Sequence, residues 1–223
     1  MSQKEVFDMT VIKKWKDPMS ALTHLIAFLL AIPCAIFLIL KAVNTSAYHI
    51  VGMSVFGASI ILLYLASTIY HMVNAGEKYS TLLRRIDHMM IFVLIAGSYT
   101  PICLVPLRGV WGWTLLTIIW TMAILGIILK AVWITAPRWL STSIYVIMGW
   151  LVVIAFYPLC KNVEILGIVL LTLGGIIYTI GALIYGLKIP IFNFGPFGFH
   201  EIFHLFVIGG SICHIIFMFM YIL

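Results

Sequence analysis

The chain has 223 residues, of which 64% are hydrophobic and only 9% are charged, with a mean hydropathy of +1.18 and a net charge of +6. Soluble domains are about 45–50% apolar and about 25% charged. The composition therefore excludes a water-soluble globular enzyme, and it excludes a disordered chain, which requires the opposite balance. The length accommodates seven membrane-spanning helices of about 20 residues each and leaves no room for an extramembrane domain. Any chemistry must therefore take place within the bilayer.

The N-terminus is polar, and the rest of the chain is a series of apolar runs. Residues 1–18 carry mixed charges and lack the apolar stretch and cleavage site of a signal peptide. We expect them to form a cytoplasmic tail, in which Val6 to Trp15 is either an amphipathic surface stretch or a solvated segment. A single transmembrane domain is predicted over 19–223, as an all-α integral membrane bundle of seven helices. Its predicted spans are 21–43, 50–73, 86–107, 110–132, 139–159, 163–187 and 200–223.

Lysine and arginine are distributed unequally between the two sides of this predicted bundle. Basic loops remain in the cytoplasm, so the N-terminus is predicted to be cytoplasmic and the C-terminus to be outside. The bias also accounts for the net charge, so nucleic acid is not expected as a partner. The richer side holds Lys4, Lys13, Lys14, Lys16, Lys78, Arg84, Arg85, Lys130, Arg138 and Lys188, and the other side holds Lys41, Arg108 and Lys161.

Four ionisable residues are predicted to meet in the inner leaflet. Ionisable groups within a membrane are costly and by default mark functional sites. In the predicted orientation His71 lies at the cytoplasmic end of the second span, and Asp87 lies in the first turn of the third. His200 and His204 lie in the first two turns of the seventh span. Three spans therefore bring three imidazoles and one carboxylate to the same depth.

The three histidines have the composition of a catalytic zinc site. His200 and His204 are at positions i and i+4, on one helical face, and His71 is the predicted third ligand. Three protein ligands with one open position distinguish a catalytic Zn²⁺ site from a closed structural one. Each histidine taken alone is more often a packing residue in a membrane bundle.

Two further residues are predicted to assist this site. Asp87 is expected to accept a proton or to orient a ligand, and the alternatives are that it caps the third span or pairs with Arg84 or Arg85. Ser67, one turn before His71, is expected to hydrogen-bond either a substrate or a neighbouring helix.

Three other histidines lie in the predicted spans but are not predicted to be metal ligands. His24 lies at a compatible depth in the first span, where it either packs against a neighbour or lies close to the site. His88 points about 100° away from Asp87 around the helix, which favours packing or anchoring at the membrane interface. His214 is about 21 Å beyond His200 along the helix axis. It therefore cannot be a ligand, and we expect a buried hydrogen bond or a separate polar pocket.

Residues 200–204 read HEIFH, which matches the HExxH motif of zinc metalloproteases. In that interpretation Glu201 is a general base. No Asp or Glu follows the motif, so a third ligand must come from upstream. The alternative is that Glu201 is a first-turn acid stabilised by the helix N-terminus.

The sequence resembles the hemolysin III branch of the progestin and adipoQ receptor family over nearly its whole length. The matching parts are SxxxH from Ser67, DHMMIFVLIAGSYTP from Asp87, GGIIYTIGALIY from Gly174 and HEIFHLFVIGGSICH from His200. The resemblance implies a seven-helix protein with a cytoplasmic N-terminus, placed in the bacterial plasma membrane. It also implies a zinc ion held by His71, His200 and His204, with Asp87 and Ser67 at the family's Asp and Ser positions.

The resemblance also implies a function. The wider superfamily includes ceramidases, which implies zinc-dependent hydrolysis of an amide bond in a membrane lipid and a role in lipid homeostasis. Membrane lipids entering the bundle cavity are then the expected partners. The receptor branch commonly carries Gln at the position of Glu201, which weakens the protease interpretation. The alternatives are a non-enzymatic sensor or receptor with structural zinc, and a haemolysin-like cytolytic protein.

Overall fold

The computed structural model describes residues 14–188 and 197–223, which fold into helices that span a membrane's width. A 3₁₀ turn at Leu151–Ala155 joins two of the helices into one span, and a π-helical turn at Met218–Ile222 extends the last. Most of the predicted Val6–Trp15 stretch lies outside the described residues. The helices are α1 Pro18–Ala42, α2 Ala47–Met72, α3 Glu77–Leu104, α4 Val110–Val132, α5 Arg138–Trp150, α6 Phe156–Asn162, α7 Ile165–Leu187 and α8 Phe199–Phe217.

These helices supply seven segments that are long and apolar enough to cross a membrane. The predicted fold class of an all-α, seven-helix membrane bundle is thereby confirmed. The outward-facing surface is apolar, as contact with lipid requires. Its large exposed side chains include Leu30, Leu40, Val110, Leu125, Leu166 and Leu183. The cytoplasmic placement of the N-terminus stays a prediction.

The third helix begins earlier than predicted. It starts at Glu77 instead of at residue 86, so Asp87 lies in its third turn and the first-turn prediction is wrong. The apolar run marks where the helix enters hydrocarbon, whereas the preceding polar segment contains good helix formers and extends the helix beyond it. An acidic residue in the first turn, Glu77, also interacts favourably with the helix dipole. Asp87 is buried within the bundle.

The fifth span is broken where one continuous helix was predicted. Tyr99 of α3 satisfies the backbone at the break: its hydroxyl donates toward the carbonyls of Met148 and Gly149, at 2.9 and 2.8 Å, and accepts from the N–H of Val152 at 2.8 Å. A membrane interior offers no water to these groups, so a non-helical turn there needs an internal partner. Tyr99 supplies it.

The helix α3 is the centre of the bundle. Its apolar window is 61% buried, against 17–50% for the other spans. It packs against α2, α4 and α5. Small residues permit the close approach to α2: a Cβ on Gly52 would lie 2.8 Å from the Cα of Pro101. Close contact between small residues is how helices associate in lipid.

Candidate metal centre

Three histidine side chains from two helices converge at one end of the bundle. His71 lies in the last turn of α2, and His200 and His204 lie one turn apart at the start of α8. One ring nitrogen of each lies within 4.8 Å of the other two, and the Nε2 atoms of His71 and His200 are 3.1 Å apart. The structure therefore brings together the three residues predicted as ligands, and this histidine cluster could hold a metal ion.

Asp17, which precedes α1, orients His71. Its Oδ2 accepts a hydrogen bond from Nδ1 of His71 at 2.9 Å. In the neutral ring the lone pair is then on Nε2, the nitrogen that faces His200. The same hydrogen bond is the main cause that holds the pKa of the Asp17 carboxyl below its ordinary value. A carboxylate behind a ligand histidine is a recurring partner in metal sites.

His204 is held by two residues of α1. The ring of His24 stacks on it with centroids 3.6 Å apart and planes 9° from parallel. The hydroxyl of Thr23 donates to the carbonyl of Ser20 at 3.0 Å, so it is oriented to accept from Nδ1 of His204, 3.5 Å away. This arrangement favours a proton on Nδ1 and a free lone pair on Nε2. His24 thus contacts the histidine cluster directly.

Glu201 ties the start of α8 to α1. Its Oε2 accepts from the backbone N–H of Gly198 at 2.9 Å, and its Oε1 accepts from the hydroxyl of Ser20 at 2.6 Å. The first bond caps the helix N-terminus, where a negative charge is favourable. The interpretation of Glu201 as a first-turn acid is confirmed. Both oxygens thus hold the helix terminus against α1, and the interpretation of Glu201 as a general base stays a prediction.

A cavity of about 730 Å³ opens from the histidine cluster into the bundle. Asp87 and Ser67 both line it, and both are buried. The hydroxyl of Ser67 has no hydrogen-bond partner among the described residues. The N-cap of α3 is Gly76, so Asp87 does not cap it. Within residues 14–188 and 197–223, Asp87 also makes no ion pair with Arg84 or Arg85.

Two more histidines line the same cavity. His88 follows Asp87 on α3, and His214 lies farther along α8 from the histidine cluster. Packing or interface anchoring was expected for His88, and its half-buried side chain also lines the cavity. A buried hydrogen bond or a separate polar pocket was expected for His214. Its ring is buried, but neither ring nitrogen has a hydrogen-bond partner among the described residues, and the cavity extends past Val207 to reach it, so the pocket is not separate. His214 is not part of the histidine cluster.

Comparison with known proteins agrees with this architecture. Residues 12–215 match the family described as Haemolysin-III related. The chain belongs to the Haemolysin-III related family. A hemolysin-3 homolog of Bacillus subtilis (strain 168) is 44% identical over 193 residues, which cover 86% of this chain and 87% of the relative. Hemolysin-3 of Bacillus cereus is 43% identical over 193 residues, with coverage of 86% and 85%.

Membership of the Haemolysin-III related family, together with the seven apolar spans, makes this a multi-pass protein of the bacterial cell membrane. Asp17 was not among the predicted site residues, because it lies outside every apolar run. Its position directly before Pro18, on the side of the membrane predicted for His71, is the sequence feature that could have indicated its role.

Proposed function

We propose that this Haemolysin-III related protein binds one Zn²⁺ through His71, His200 and His204 and hydrolyses an amide bond of a membrane lipid. One observation carries the proposal. The three imidazoles meet within 4.8 Å on the wall of a cavity that also holds a buried carboxylate, Asp87. A metal site next to a ligand-sized cavity and a candidate proton acceptor is the arrangement expected of a hydrolase.

The donor set fits zinc. Neutral imidazoles are preferred zinc ligands, with Zn–N distances that place two tetrahedral ligand nitrogens about 3.3 Å apart. The Nε2 atoms of His71 and His200 are 3.1 Å apart, close to this value, and the third ring is near enough to join them by side-chain rotation. Asp17 and Thr23 already favour the tautomers that direct lone pairs into the group.

Zinc held there would polarise a substrate carbonyl and make a water molecule nucleophilic at neutral pH. Asp87 accepts a proton from that water at a carboxylate oxygen and delivers it to the departing amine nitrogen. Ser67, beside Asp87, donates its hydroxyl proton in a hydrogen bond that orients the carboxylate or the substrate. The apolar walls exclude bulk water from the rest of the cavity. The products are a fatty acid and an amine.

The cavity favours a lipid as substrate. Its volume of about 730 Å³ is within the range of small-molecule sites. Beyond the histidine cluster its walls include Leu63, Leu94, Ile95 and Val207, against which an acyl chain would pack. An amide bond, in preference to an ester, is supported by the resemblance to the superfamily that includes ceramidases.

The experiment is a product assay on metal-defined protein. Purified protein is stripped of metal, reloaded with one equivalent of zinc, and incubated with a panel of N-acyl and O-acyl lipids in neutral micelles. Released fatty acid is measured by mass spectrometry. We expect release from N-acyl lipids by the reloaded protein and none by the stripped protein. Protein that holds stoichiometric zinc and cleaves no member of the panel would overturn the hydrolase.

A second candidate is a non-enzymatic sensor in which zinc is structural. It is favoured by one observation: the histidine cluster joins the end of α2 to the start of α8, and Asp17 adds the segment before α1. A bound ion would then fasten three parts of the bundle. This candidate predicts that His71→Ala lowers the thermal unfolding temperature with no turnover to lose, whereas the hydrolase predicts loss of turnover at temperatures where the variant stays folded.

A further inference from the structure

A group of cationic and hydrogen-bonding side chains lines the cavity apart from the histidine cluster. It consists of Arg84 on α3, Lys130 in the last turn of α4, and Arg138 and Thr142 at the start of α5. We call these four residues the basic cluster. Lys130 is only 3% exposed, which is unusual for lysine. These side chains all belong to the membrane face predicted to be cytoplasmic.

The basic cluster has unused hydrogen-bonding capacity. Nε of Arg84 and Oγ1 of Thr142 are buried and have no hydrogen-bond partner among the described residues. Lys130 donates to the hydroxyl of Ser141, which is a neutral partner. Buried donors left without acceptors are costly, so a ligand that supplies oxygen acceptors would be favoured here.

The cluster also lacks a counter-ion in the part of the chain that the structure describes. Every ion pair found within residues 14–188 and 197–223 uses Asp17, whose partners are Lys16 and His71. Lys130 instead shares the cavity with the positive charge of Arg84. Asp87 lines the same cavity but makes no ion pair with these residues, and buried like charges without a paired carboxylate repel each other and are costly to desolvate. An anion between them would offset both costs.

A simpler interpretation is that these are ordinary positive-inside residues that extend toward the membrane surface. The lysines at the other end of the bundle behave in that way: Lys161 is exposed and lies over the ring of Tyr157 at 4.4 Å. Lys130 differs because it is buried and lines the cavity. The ammonium group of Lys130 is therefore placed to bind a ligand in the cavity and not to be solvated at the membrane surface.

The wall of the cavity changes character along α3. The lining residues run from Arg84 through Asp87 and His88 to Ile91, Leu94 and Ile95, with Ser98 and Tyr99 beyond them. The wall therefore changes from charged to apolar over about 16 Å at 1.5 Å per residue. The cavity thus has cationic groups at the end predicted to be cytoplasmic and an apolar stretch deeper in the bundle, which matches an amphiphile with an anionic head.

We propose that the cavity ligand is an acyl lipid whose anionic headgroup, a phosphate or a carboxylate, is bound by Lys130, Arg84 and Arg138. The inference rests on the proposed function and deepens it, because it names the substrate class as an acidic lipid. Lys130 and Arg84 donate to the headgroup oxygens in charge-assisted hydrogen bonds, and Thr142 adds a neutral donor. The acyl chain then extends past the histidine cluster along the apolar wall.

The test measures binding, without turnover, by native mass spectrometry of metal-stripped protein in neutral micelles. The probes are dioctanoyl phosphatidic acid, dioctanoylglycerol with the same chains and no phosphate, and inorganic phosphate. We expect the wild type to prefer phosphatidic acid over dioctanoylglycerol by at least about ten-fold. Lys130→Met should remove most of that preference, and Lys130→Arg should retain it. Lys161→Met, the same substitution at an exposed lysine on the other face, should leave it unchanged.

Three outcomes would overturn the inference: equal binding of the two lipids, equal weakening by Lys130→Met and Lys161→Met, or displacement of phosphatidic acid by inorganic phosphate at the lipid's own affinity. The last would assign the site to a free anion. Arg84→Gln provides a second variant should Lys130→Met fail to fold, as judged by its thermal unfolding. Because binding is measured without zinc, absence of hydrolysis overturns only the proposed function, and loss of the headgroup preference overturns only this inference.

Discussion

Asp17 and His71 are joined by two hydrogen bonds. The carboxylate of Asp17 accepts from the His71 ring at 2.9 Å, and the backbone N–H of Asp17 donates to the backbone carbonyl of His71, also at 2.9 Å. The first hydrogen bond sets the orientation of the His71 ring, and the second fixes the backbone of Asp17, which carries the carboxylate. The two hydrogen bonds thereby attach the residue that precedes α1 to the histidine cluster at the end of α2.

Asp17 substitutions are predicted to weaken zinc binding. Loss of a carboxylate behind a ligand histidine typically costs about 10–100-fold in metal affinity. Asp17→Asn keeps an acceptor for Nδ1 but loses the charge, so we expect an effect near the lower value, and Asp17→Ala near the upper. Titration of zinc against a competing chelator measures the change. Glu164→Gln, at an exposed acid, is the control, and an Asp17→Ala affinity equal to that of the control would contradict the assignment.

Asp87→Asn is predicted to abolish hydrolysis while zinc stays bound. Asp87 is assigned the proton transfer and is not among the three ligands, and general acid–base groups contribute about 10²–10⁴-fold to rate. Fatty acid release and zinc content are measured on the same preparation. Glu77→Gln replaces an exposed acid on the same helix and should leave both quantities unchanged. Loss of zinc together with activity in Asp87→Asn would show a structural role instead.

Glu201 variants are predicted to lose stability but not activity. Glu201→Ala removes an acceptor from both Gly198 and Ser20, and loss of a helix cap costs about 1 kcal/mol. Glu201→Gln retains an oxygen acceptor for one of them and should cost less. Thermal unfolding measures the stability and the lipid assay measures turnover. If Glu201→Gln stayed folded yet lost turnover as completely as Asp87→Asn, the result would support the interpretation of Glu201 as the general base of an HExxH motif.

Gly52→Ala is predicted to loosen the contact between α2 and α3. The added Cβ would lie 2.8 Å from the backbone Cα of Pro101, which cannot rotate away. Overpacking of this kind costs about 1–3 kcal/mol. Gly149→Ala is the matched control, because a Cβ there meets no atom within 4 Å. A lower unfolding temperature for Gly52→Ala than for Gly149→Ala is expected, and equal temperatures would contradict the proposed close approach.

The fold was largely predictable because a membrane imposes a simple rule on sequence. Each apolar run had to be a helix of bilayer length, so the seven spans were visible without structural knowledge. The rule fails at helix ends. It placed the start of α3 nine residues late at Ile86, because polar residues can continue a helix outside the hydrocarbon. It also missed the break after Trp150, which depends on a distant partner, Tyr99.

The site was predictable only in part, for a similar reason. His71, His200 and His204 stand out because an imidazole within an apolar run is conspicuous, and helix direction gives their depth. Asp17 lies outside every run, and the stacking of His24 on His204 depends on how α1 rotates about its axis. Rotation and packing distance are not encoded in hydropathy. The burial of Lys130 was not predictable for the same reason, since a lysine near a helix end usually extends its ammonium group to the membrane surface.

The central claim is that His71, His200 and His204 hold a zinc ion. The most direct measurement is the zinc content, by elemental analysis, of purified wild type, His71→Ala, His204→Ala and His49→Ala, with helicity checked by circular dichroism. His49 is at the opposite end of α2 from His71, where its Nδ1 lies 2.8 Å from the hydroxyl of Ser46. We expect about one zinc per chain in the wild type and in His49→Ala, and almost none in the other two variants. Folded His71→Ala and His204→Ala proteins that retain the wild-type zinc content would contradict the account.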